Sequence, residues 1–401
     1  MTEKLLFVAP TVPLFDRHSG DLRLFTILNI LSKSYEITYF AKNWANYAVD
    51  RSVETDRYVY SLKNLGINVY YGGSKSIKSI LDADVYKAAF MEFYHIAEVY
   101  LPRVKILQHS CYVIVDTVDV HYLRLRRKYE LPKDTNDLTL ADTTKQEEIS
   151  IYSQADLVLT VTEEDAKNLM NENPKMAVRI LPNVHEVIPP KGTKERNEIV
   201  FVGGFNHPPN VDAMIYFCAD ILPRIRKIIP KVKFTIVGSN PPPQVMALSN
   251  DFVTVTGYVP STTPYLHRAY ISVAPLRYGA GMKGKIGEAM AHGLPVVTTS
   301  IGAEGMGLTD RENVFIADSP ETFSDAVIEL MLDDALYNNI QKNSLEHIRK
   351  NFTPEIVGSK IEQIMSELDG LAVKNMSLLN KTSFLLDYTL GFVKKNLPSI
   401  G

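Results

Sequence analysis

A loop rich in glycine and positive charge follows a β-branched run and precedes a short helical pattern in residues 275–299, P-L-R-Y-G-A-G-M-K-G-K-I-G-E-A-M-A-H-G-L-P-V-V-T-T. Glycine lets the backbone approach a ligand closely, and both helix N-termini and fixed cations attract anions. The sequence therefore indicates a diphosphate site. A tight βα turn carrying surface lysines would give the same pattern, and the stretch alone does not separate the two. Its glycines and cations are Gly279, Gly281, Gly284, Gly287, Arg277, Lys283 and Lys285.

Glu288 follows Lys285 by three residues, which on a helix places both side chains on one face near its N-terminal end. A carboxylate at that place can accept two ribose hydroxyls, while the lysine and Arg277 contact phosphates. The alternative is a solvated face on which Lys285 and Glu288 pair only with each other.

The elements that must position these residues alternate between strand and helix along two halves of the chain. Such alternation predicts parallel βαβ units with helices on both sheet faces. Ligands of such sheets bind at the carboxyl ends of the strands, so the cleft between the two halves is the expected site. The predicted strands are residues 5–10, 37–40, 68–71, 85–90, 105–107, 112–116 and 157–161, then 199–203, 233–238, 252–256, 271–275, 295–299 and 314–317.

A length of 401 residues favours two domains, and the proline-rich, charged stretch at 182–197 has the character of a linker. The net charge of -3 gives no reason to expect a nucleic-acid partner. Two cysteines cannot form a disulfide framework, which fits a cytoplasmic location. The apolar run at 5–10 is too short for a signal peptide, and no run of about 18 apolar residues predicts a membrane-spanning helix.

Four loops of the second half follow predicted strands, and they would gather at one sheet edge. The loops are V-G-G-F-N-H-P-P-N-V-D-A-M (202–214), T-I-V-G-S-N-P (235–241), V-T-G-Y-V (255–259) and the opening stretch from 279 to 299. Together they resemble glycosyltransferase family 4. Residues 10–23 and 115–127 extend the resemblance more weakly into the first half, so that it covers most of residues 1–360. Members are retaining nucleotide-sugar transferases with the GT-B architecture, two facing Rossmann-like domains.

The resemblance implies an acceptor-side domain at 1–185, a nucleotide-sugar-binding domain at 186–355, and C-terminal helices at 356–401 that return to the first domain. Glu288 matches the second acid of the E-x7-E element, which usually binds the donor ribose. Lys283 or Lys285, with Arg277, would contact the diphosphate. Further donor-site candidates in the loops are Gly20, Gly204, Gly238, Tyr258 and Gly281, with Gly238 and Tyr258 near the base and Gly20 near the phosphates or the acceptor.

Ala280 departs from the family pattern, because the residue eight before Glu288 is usually an acid facing the transferred sugar. The leading hypothesis is glycosyl transfer to a glycan or lipid-linked acceptor in cell-surface polysaccharide or glycoconjugate synthesis. The missing acid motivates an alternative, a catalytically silent nucleotide-sugar-binding subunit of a glycosyltransferase complex. A nucleotide-sugar 2-epimerase shares the two-domain layout but lacks this motif order.

Catalytic candidates follow the strand at 112–116, where Asp116, Asp119 and His121 could face the cleft; of these we select His121 and Asp119. His121 can donate to a sugar hydroxyl or relay a proton, and family members place a histidine nearby. A structural role for His121 stays open, and His109 is a competitor. Asp16, Arg17 and His18 form either an acceptor site or an ordinary polar turn.

The resemblance implies that the acceptor attacks on the face from which the diphosphate leaves. It implies no cofactor besides the donor. No D-x-D element precedes the expected cleft and no His/Cys cluster occurs in the sequence, so we expect no metal. An amphipathic stretch at 384–395 would either pack on the first domain or rest on an anionic membrane, which would make the protein peripheral on the inner membrane face.

Overall fold

The computed structural model describes residues 2–17, 19–43, 56–71, 74–129, 135–188, 195–279 and 281–375. His18, Ala280 and the amphipathic stretch at 384–395 lie outside the described residues, as does the middle of the predicted linker.

The first domain is built on a seven-stranded parallel sheet with the strand order β3-β2-β1-β4-β5-β6-β7. Its interior strand β1 is apolar on both sides: Leu5 and Phe7 face one core cluster, and Leu6 and Val8 face the other. Strands buried on both faces are typical of parallel sheets covered by helices. The strands are β1 (Lys4–Ala9), β2 (Glu36–Ala41), β3 (Asn68–Tyr71), β4 (Ala88–Glu92), β5 (Tyr112–Asp116), β6 (Leu157–Thr160) and β7 (Val178–Ile180).

Seven described helices cover the two faces of this sheet. The helix that follows β1 presents Leu24, Ile27, Leu28 and Leu31 to one core. The helices are α1 (Ser19–Leu31), α2 (Asp56–Asn64), α3 (Ile77–Ala83), α4 (Tyr94–Leu107), α5 (His121–Tyr129), α6 (Thr135–Gln154) and α7 (Glu163–Glu172).

The second domain repeats the design with a six-stranded parallel sheet of order β10-β9-β8-β11-β12-β13. Its strands are β8 (Glu198–Val202), β9 (Lys233–Val237), β10 (Val253–Val255), β11 (Ile271–Ala274), β12 (Val296–Thr298) and β13 (Phe315–Ile316). Its helices are α8 (Pro208–Tyr216), which continues as a π-helical segment (Phe217–Ile221), α9 (Leu222–Ile228), α10 (Pro243–Met246), α11 (Thr263–Arg268), α12 (Gly284–Ala291), α13 (Ser300–Ala303), α14 (Pro320–Leu332) and α15 (Asp334–Asn351).

The predicted fold class, two α/β domains with parallel sheets, is confirmed. One predicted strand is wrong: residues 105–107 form the end of α4, whose buried stripe includes Ile96, Tyr100 and Val104. Three residues, of which only Ile106 and Leu107 are apolar, are too few to distinguish a strand from the end of a helix. Strand β7 was not predicted, and β4 begins three residues later than expected.

The last described helix, α16 (Pro354–Glu367), lies on the first domain although it follows the second in the chain. Its residues Val357, Ile361 and Ile364 share a buried cluster with the apolar face of α1. The chain therefore crosses between the domains twice, near residues 181–188 and again before residue 354. In the described part of the chain, no helix is long and apolar enough to cross a membrane.

Candidate functional site between the two domains

The C-terminal strand edges of the two sheets face each other and meet at two glycines. A Cβ placed on Gly281 would lie 3.5 Å from the Val118 carbonyl oxygen and 3.6 Å from Asp119 Oδ1, both in the loop after β5. A Cβ on Gly284, the first residue of α12, would overlap the side chain of Ser19 at the start of α1. Thus the opening glycine-rich stretch lies directly against the first domain, which places the cation-bearing loop in the cleft.

Glycines also set how closely the loops of the second domain approach one another. A Cβ on Gly238 would overlap the carbonyl oxygen of Gly203, whereas one on Gly204 would be in ordinary contact, 3.4 Å from Ser239 Oγ. Gly203 itself lies beside Lys285, whose Cε would be 3.1 Å from an added Cβ. These three predicted loops therefore form one continuous surface at the N-terminus of α12.

The Gly238→Ala variant should lower the free energy of unfolding by about 1–3 kcal/mol, because the added methyl has no space beside the Gly203 backbone. The matched control is Gly204→Ala, whose methyl meets no close atom and whose unfolding free energy should change by less than about 0.5 kcal/mol. Urea unfolding of both variants measures this. Equal stabilities would show that the loops are not packed as described.

Helix α12 begins at Gly284, so Lys285 lies in its first turn. Lys285 is half-buried, and its Nζ makes no hydrogen bond or ion pair with any residue that the structure describes. Burial and the nearby charge of Lys283 lower the pKa of Lys285 to about 8, against the opposing effect of Glu288. An unpaired, desolvated ammonium at a helix N-terminus is an anion-binding arrangement.

Lys283 is more deeply buried and is already bonded. Its Nζ donates to the Gly281 carbonyl oxygen at 2.7 Å and lies 3.5 Å from Glu304 Oε2. Burial lowers its pKa as well. The structure therefore assigns the two lysines different surroundings: Lys283 shapes the glycine loop, and Lys285 is open to a ligand.

Glu288 lies one turn along the same helix, half-buried, and accepts a hydrogen bond from Thr262 Oγ1 at 2.5 Å. Burial raises the pKa of its carboxyl group, although the Thr262 hydroxyl and Lys285 act in the opposite sense. No ion pair joins Lys285 to Glu288 among the described side chains. The solvated-pair alternative thus lacks the direct contact it needs.

Arg277 and Tyr258 lie at the outer part of this surface. The Arg277 guanidinium pairs with the Asp212 carboxylate through both oxygens and stacks on Tyr216, and the side chain is 41% exposed. A diphosphate would have to compete with Asp212 for it. Tyr258 is half-exposed, and Arg17 of the first domain lies 5.2 Å from its ring centroid, so this contact crosses the cleft.

The pKa of His207, in the loop after β8, is lowered in part by the positive charges that surround the cleft. The residue is exposed to solvent, and crowding by the surrounding loops together with the charges of Lys285, Arg124 and Lys283 lowers its pKa, although Asp119 acts in the opposite direction. The imidazole is therefore neutral at physiological pH. The cations that depress its pKa come from both domains and would equally attract a diphosphate.

Three candidate residues on the first-domain side of the cleft differ in their burial and contacts, namely Asp116, Asp119 and Gly20. Asp116 is buried at 2.5 Å from the Arg23 guanidinium, which holds it in the core. Asp119 pairs with Arg124 through Oδ2, while its buried Oδ1 has no partner within the described residues and lies toward Gly281. Gly20 lies under Val118, with 3.3 Å between an added Cβ and Val118 Cγ1. Asp119, not Asp116, is thus available to a ligand.

The two histidine candidates lie at opposite sheet edges. His121 begins α5 after the carboxyl end of β5, and its ring contacts Phe93 and Tyr94. His109 precedes β5, is exposed, and its Nδ1 lies 3.0 Å from the Lys105 carbonyl oxygen. Only His121 is on the cleft side.

The possible acceptor residues form a closed network on the first domain. Asp16 accepts hydrogen bonds from Tyr58, at 2.6 Å, and from Arg57, and Arg17 donates to the Tyr58 hydroxyl at 3.1 Å. These bonds hold the loop after β1 in place and leave Arg17 over Tyr258.

Several site residues were not predicted from sequence. Arg127 donates to both oxygens of Glu304, at 2.6 and 2.8 Å, and to the Gly279 carbonyl oxygen at 2.7 Å, bridging the domains behind the glycine loop. The His185 ring packs on Gly287 of α12, where any Cβ would overlap it, and burial lowers its pKa to about 4. Glu148 is hydrogen-bonded to His121. These partners are distant in sequence, so no local sequence pattern predicts the contacts between them.

Residues 196–333 match the family model described as Glycosyl transferases group 1, a stretch that contains the second sheet and the glycine-rich loop. A 44.6 kDa Klebsiella pneumoniae protein described as lying in the cps region is 28% identical over 172 residues, which are 41% of this chain. The matched region spans 44% of that relative. No group of three or more His, Cys, Asp or Glu side chains that could hold a metal occurs in the described ranges.

Solved structures similar to nearly the whole chain include sucrose-phosphate synthase from Thermosynechococcus elongatus, with a TM-score of 0.72, 14% identity, and coverage of 92% of this chain and 99% of that chain. Anabaena HepE in complex with UDP-glucose gives a TM-score of 0.66 at 12% identity, covering 91% of this chain and 99% of that one. Staphylococcus aureus TarM, in complex with UDP, gives 0.58 at 14% identity over 71% of this chain and 57% of its own. These similarities confirm the GT-B fold.

Proposed function

We propose that this protein is a glycosyltransferase that moves a sugar from a nucleotide-diphosphate sugar to a glycan or lipid-linked acceptor with retention of configuration. The observation that carries the proposal is Lys285, an unpaired ammonium in the first turn of α12, in a cleft between two Rossmann-like domains. The match of residues 196–333 to a glycosyltransferase model supports it.

The geometry suits a donor whose diphosphate leaves during the reaction. Lys285 and the N-terminal amides of α12 would neutralise the departing charge, which is stabilisation of a leaving group by fixed donors. Glu288, on the same helix, would accept the ribose hydroxyls. Because these groups provide the charge, we propose that transfer proceeds without a metal.

We assign the transferred sugar and the acceptor to the cleft face of the first domain, where Asp119 Oδ1 lies near Gly281 and His121 follows two residues later. In retaining transfer the acceptor hydroxyl attacks on the side that the diphosphate leaves, and an oxygen of that phosphate takes its proton. The C1–O bond to the diphosphate breaks as the C1–O bond to the acceptor forms. The cps-region description of the Klebsiella relative supports a role in surface polysaccharide synthesis, and we place the reaction in the cytoplasm.

A thermal-shift screen of UDP-, GDP-, dTDP- and ADP-sugars tests donor binding, because a ligand that binds the folded state raises its stability. HepE and TarM are solved with UDP or a UDP-sugar, so the UDP series is the first choice. We expect one base to raise the melting temperature clearly more than the others. A melting temperature that stays unchanged with all four donor series would contradict the proposal.

The Glu288→Ala variant should bind the donor nucleotide about tenfold to a hundredfold more weakly, since hydrogen bonds to a charged group contribute about 1.5–3 kcal/mol. The matched control is Glu346→Ala, because Glu346 lies at the surface of α15 and pairs with Lys350. Calorimetry with the nucleoside diphosphate measures both. A variant that keeps full affinity would remove Glu288 from the ribose role.

A catalytically silent nucleotide-sugar-binding subunit is the second candidate, favoured by Ala280 in place of the usual acid. Both candidates require nucleotide binding, so turnover separates them. Donor binding without hydrolysis or transfer to any glycan or lipid-linked acceptor would favour the silent subunit. Contact of the C-terminal tail with a membrane stays a prediction.

A further inference from the structure

A buried carboxylate, Glu148 of α6, is bonded to the start of α5. Its Oε1 accepts hydrogen bonds from the His121 backbone N–H at 3.0 Å and from the Tyr152 hydroxyl at 3.1 Å. Its Oε2 accepts from the Tyr122 backbone N–H at 3.0 Å. The first N–H groups of a helix have no partner within the helix, so Glu148 satisfies two of them and complements the helix dipole.

The same carboxylate also contacts the His121 ring. Nδ1 of His121 lies 3.1 Å from Glu148 Oε1. Glu148 accepts hydrogen bonds from two backbone N–H groups and one hydroxyl, and with the same oxygen as acceptor for the ring, Nδ1 carries the proton. In the neutral ring, Nε2 then has a lone pair. Within the described residues Nε2 has no hydrogen-bond partner, and the His121 side chain is 20% exposed.

The surroundings of His121 restrict the orientation of the ring. Phe93 and Tyr94 lie edge-on to it, with centroids at 5.9 and 5.4 Å, and His95 lies at 6.5 Å. Phe93 and Val118, at the ends of the neighbouring strands β4 and β5, both adopt positive φ angles, 68° and 56°. Such backbone is costly for these side chains and persists only where packing enforces it. The imidazole is therefore held by a rigid frame at the cleft edge of the sheet.

We infer that Glu148 is a positioning residue, which fixes His121 in the Nδ1–H tautomer so that Nε2 accepts a hydrogen bond from a hydroxyl of the transferred sugar. This inference rests on the proposed function, because it places the sugar beside the loop that carries Asp119 and His121. Asp119 Oδ1, two residues before His121, already lies toward Gly281 of the donor loop. A purely capping Glu148 would stabilise α5 without any effect on the tautomer.

The tautomer is measured on the unmodified full chain. Nitrogen NMR of the histidine-labelled protein at pH 8.5, about two units above the pKa of a free imidazole, reports which ring nitrogen carries the proton. The spectrum of His121→Gln assigns the His121 signals among the nine histidines. We expect the Nδ1–H form. A dominant Nε2–H form would overturn the inference whatever the variants do.

Glu148→Gln tests the effect on function. Its neutral amide accepts the Nδ1–H group more weakly than a carboxylate does and presents a donor to an N–H group of α5, so the Nδ1–H tautomer is less favoured, the hydrogen bond to the sugar weakens and kcat/KM falls about tenfold or more. The matched control is Asp156→Asn, which neutralises another buried carboxylate, the partner of Lys105, at the opposite edge of the same sheet. It should lower stability while the His121 tautomer and kcat/KM stay unchanged.

The two readouts separate this inference from the proposed function. Turnover by Glu148→Gln at the wild-type rate, with an unchanged tautomer, overturns the positioning role and leaves glycosyl transfer standing. An Nδ1–H signal in a wild-type protein that turns over no nucleotide sugar supports the tautomer assignment and refutes the proposed function. If Glu148→Gln fails to fold, the tautomer of His121 in the wild-type protein still tests the inference.

Discussion

Replacing Lys285 with methionine should weaken nucleoside diphosphate binding about thirtyfold. The variant keeps the apolar stem and removes one charge-assisted contact to phosphate, which contributes about 2 kcal/mol. The effect is large because no described carboxylate or hydrogen-bond acceptor competes for Lys285, whose Nζ lies 5.7 Å from the Phe201 ring centroid, and because the residue lies in the first turn of α12. Calorimetry measures the dissociation constants of the wild type and the variant for the nucleoside diphosphate that the donor screen selects.

The pH dependence of binding adds a second signature of the same residue. The pKa of Lys285 is about 8 in the free protein, and a bound phosphate raises it. Its contribution to binding is therefore complete below pH 8 and is lost as the pH rises through the pKa of the complex. We expect the wild-type affinity to fall between about pH 8 and pH 10 toward that of Lys285→Met, whose own affinity changes little there.

The control for Lys285 is Lys233→Met, because Lys233 is exposed at the start of β9, at the sheet edge away from the cleft. It should retain full affinity and the wild-type pH dependence. Equal losses in both variants would point to nonspecific charge attraction, and no loss in Lys285→Met would remove the diphosphate from α12.

Asp116→Ala should lower the free energy of unfolding of the first domain by about 3–5 kcal/mol, because it leaves a buried guanidinium without its counter-charge. Arg23 is 1% exposed, and it also donates to the carbonyl oxygens of Leu181 and Pro182. Asp116 Oδ1 further accepts from the Val118 backbone N–H at 3.3 Å, which supports the positive φ of that residue. Urea unfolding followed by circular dichroism measures the loss.

Asp119→Asn is the matched control, three residues further along the chain. Asp119 is partly exposed and pairs with Arg124 through one oxygen, so its replacement should cost about 1 kcal/mol or less. This contrast separates a carboxylate that holds the fold from one that faces the cleft. Similar losses in the two variants would contradict the assignment of Asp116 to the core.

The fold was largely predictable because each strand of a parallel sheet is recorded locally as a short apolar run between turn residues. Where the run is only three residues long, the local signal fails. K-I-L at 105–107 is the C-terminal end of α4, where only Lys105 is buried, and V-R-I at 178–180 forms β7, a strand too short for its alternation to identify it. In both cases tertiary packing determines the secondary structure, and the residues that provide this packing lie outside the local sequence.

The candidate site divides in the same way. Gly281, Lys285 and Glu288 are close in sequence, so their chemistry could be inferred from spacing. Glu148 lies 27 residues from His121, and Glu304 lies 177 residues from Arg127, so these partners become visible only when the sheets are assembled. Arg277 shows the converse: its charge suits a phosphate, but the structure supplies Asp212 as a partner.

Sugar transfer from a nucleotide donor in this cleft is tested by following the consumption of the donor in solution. Proton NMR of the purified chain with each nucleotide sugar resolves the anomeric signal of the donor and that of any product. We expect the wild type to consume one donor and the first-formed product to keep the anomeric configuration of that donor. Lys285→Met should consume the same donor much more slowly. A donor that binds but is never consumed with any acceptor, or a product of inverted configuration, would contradict it.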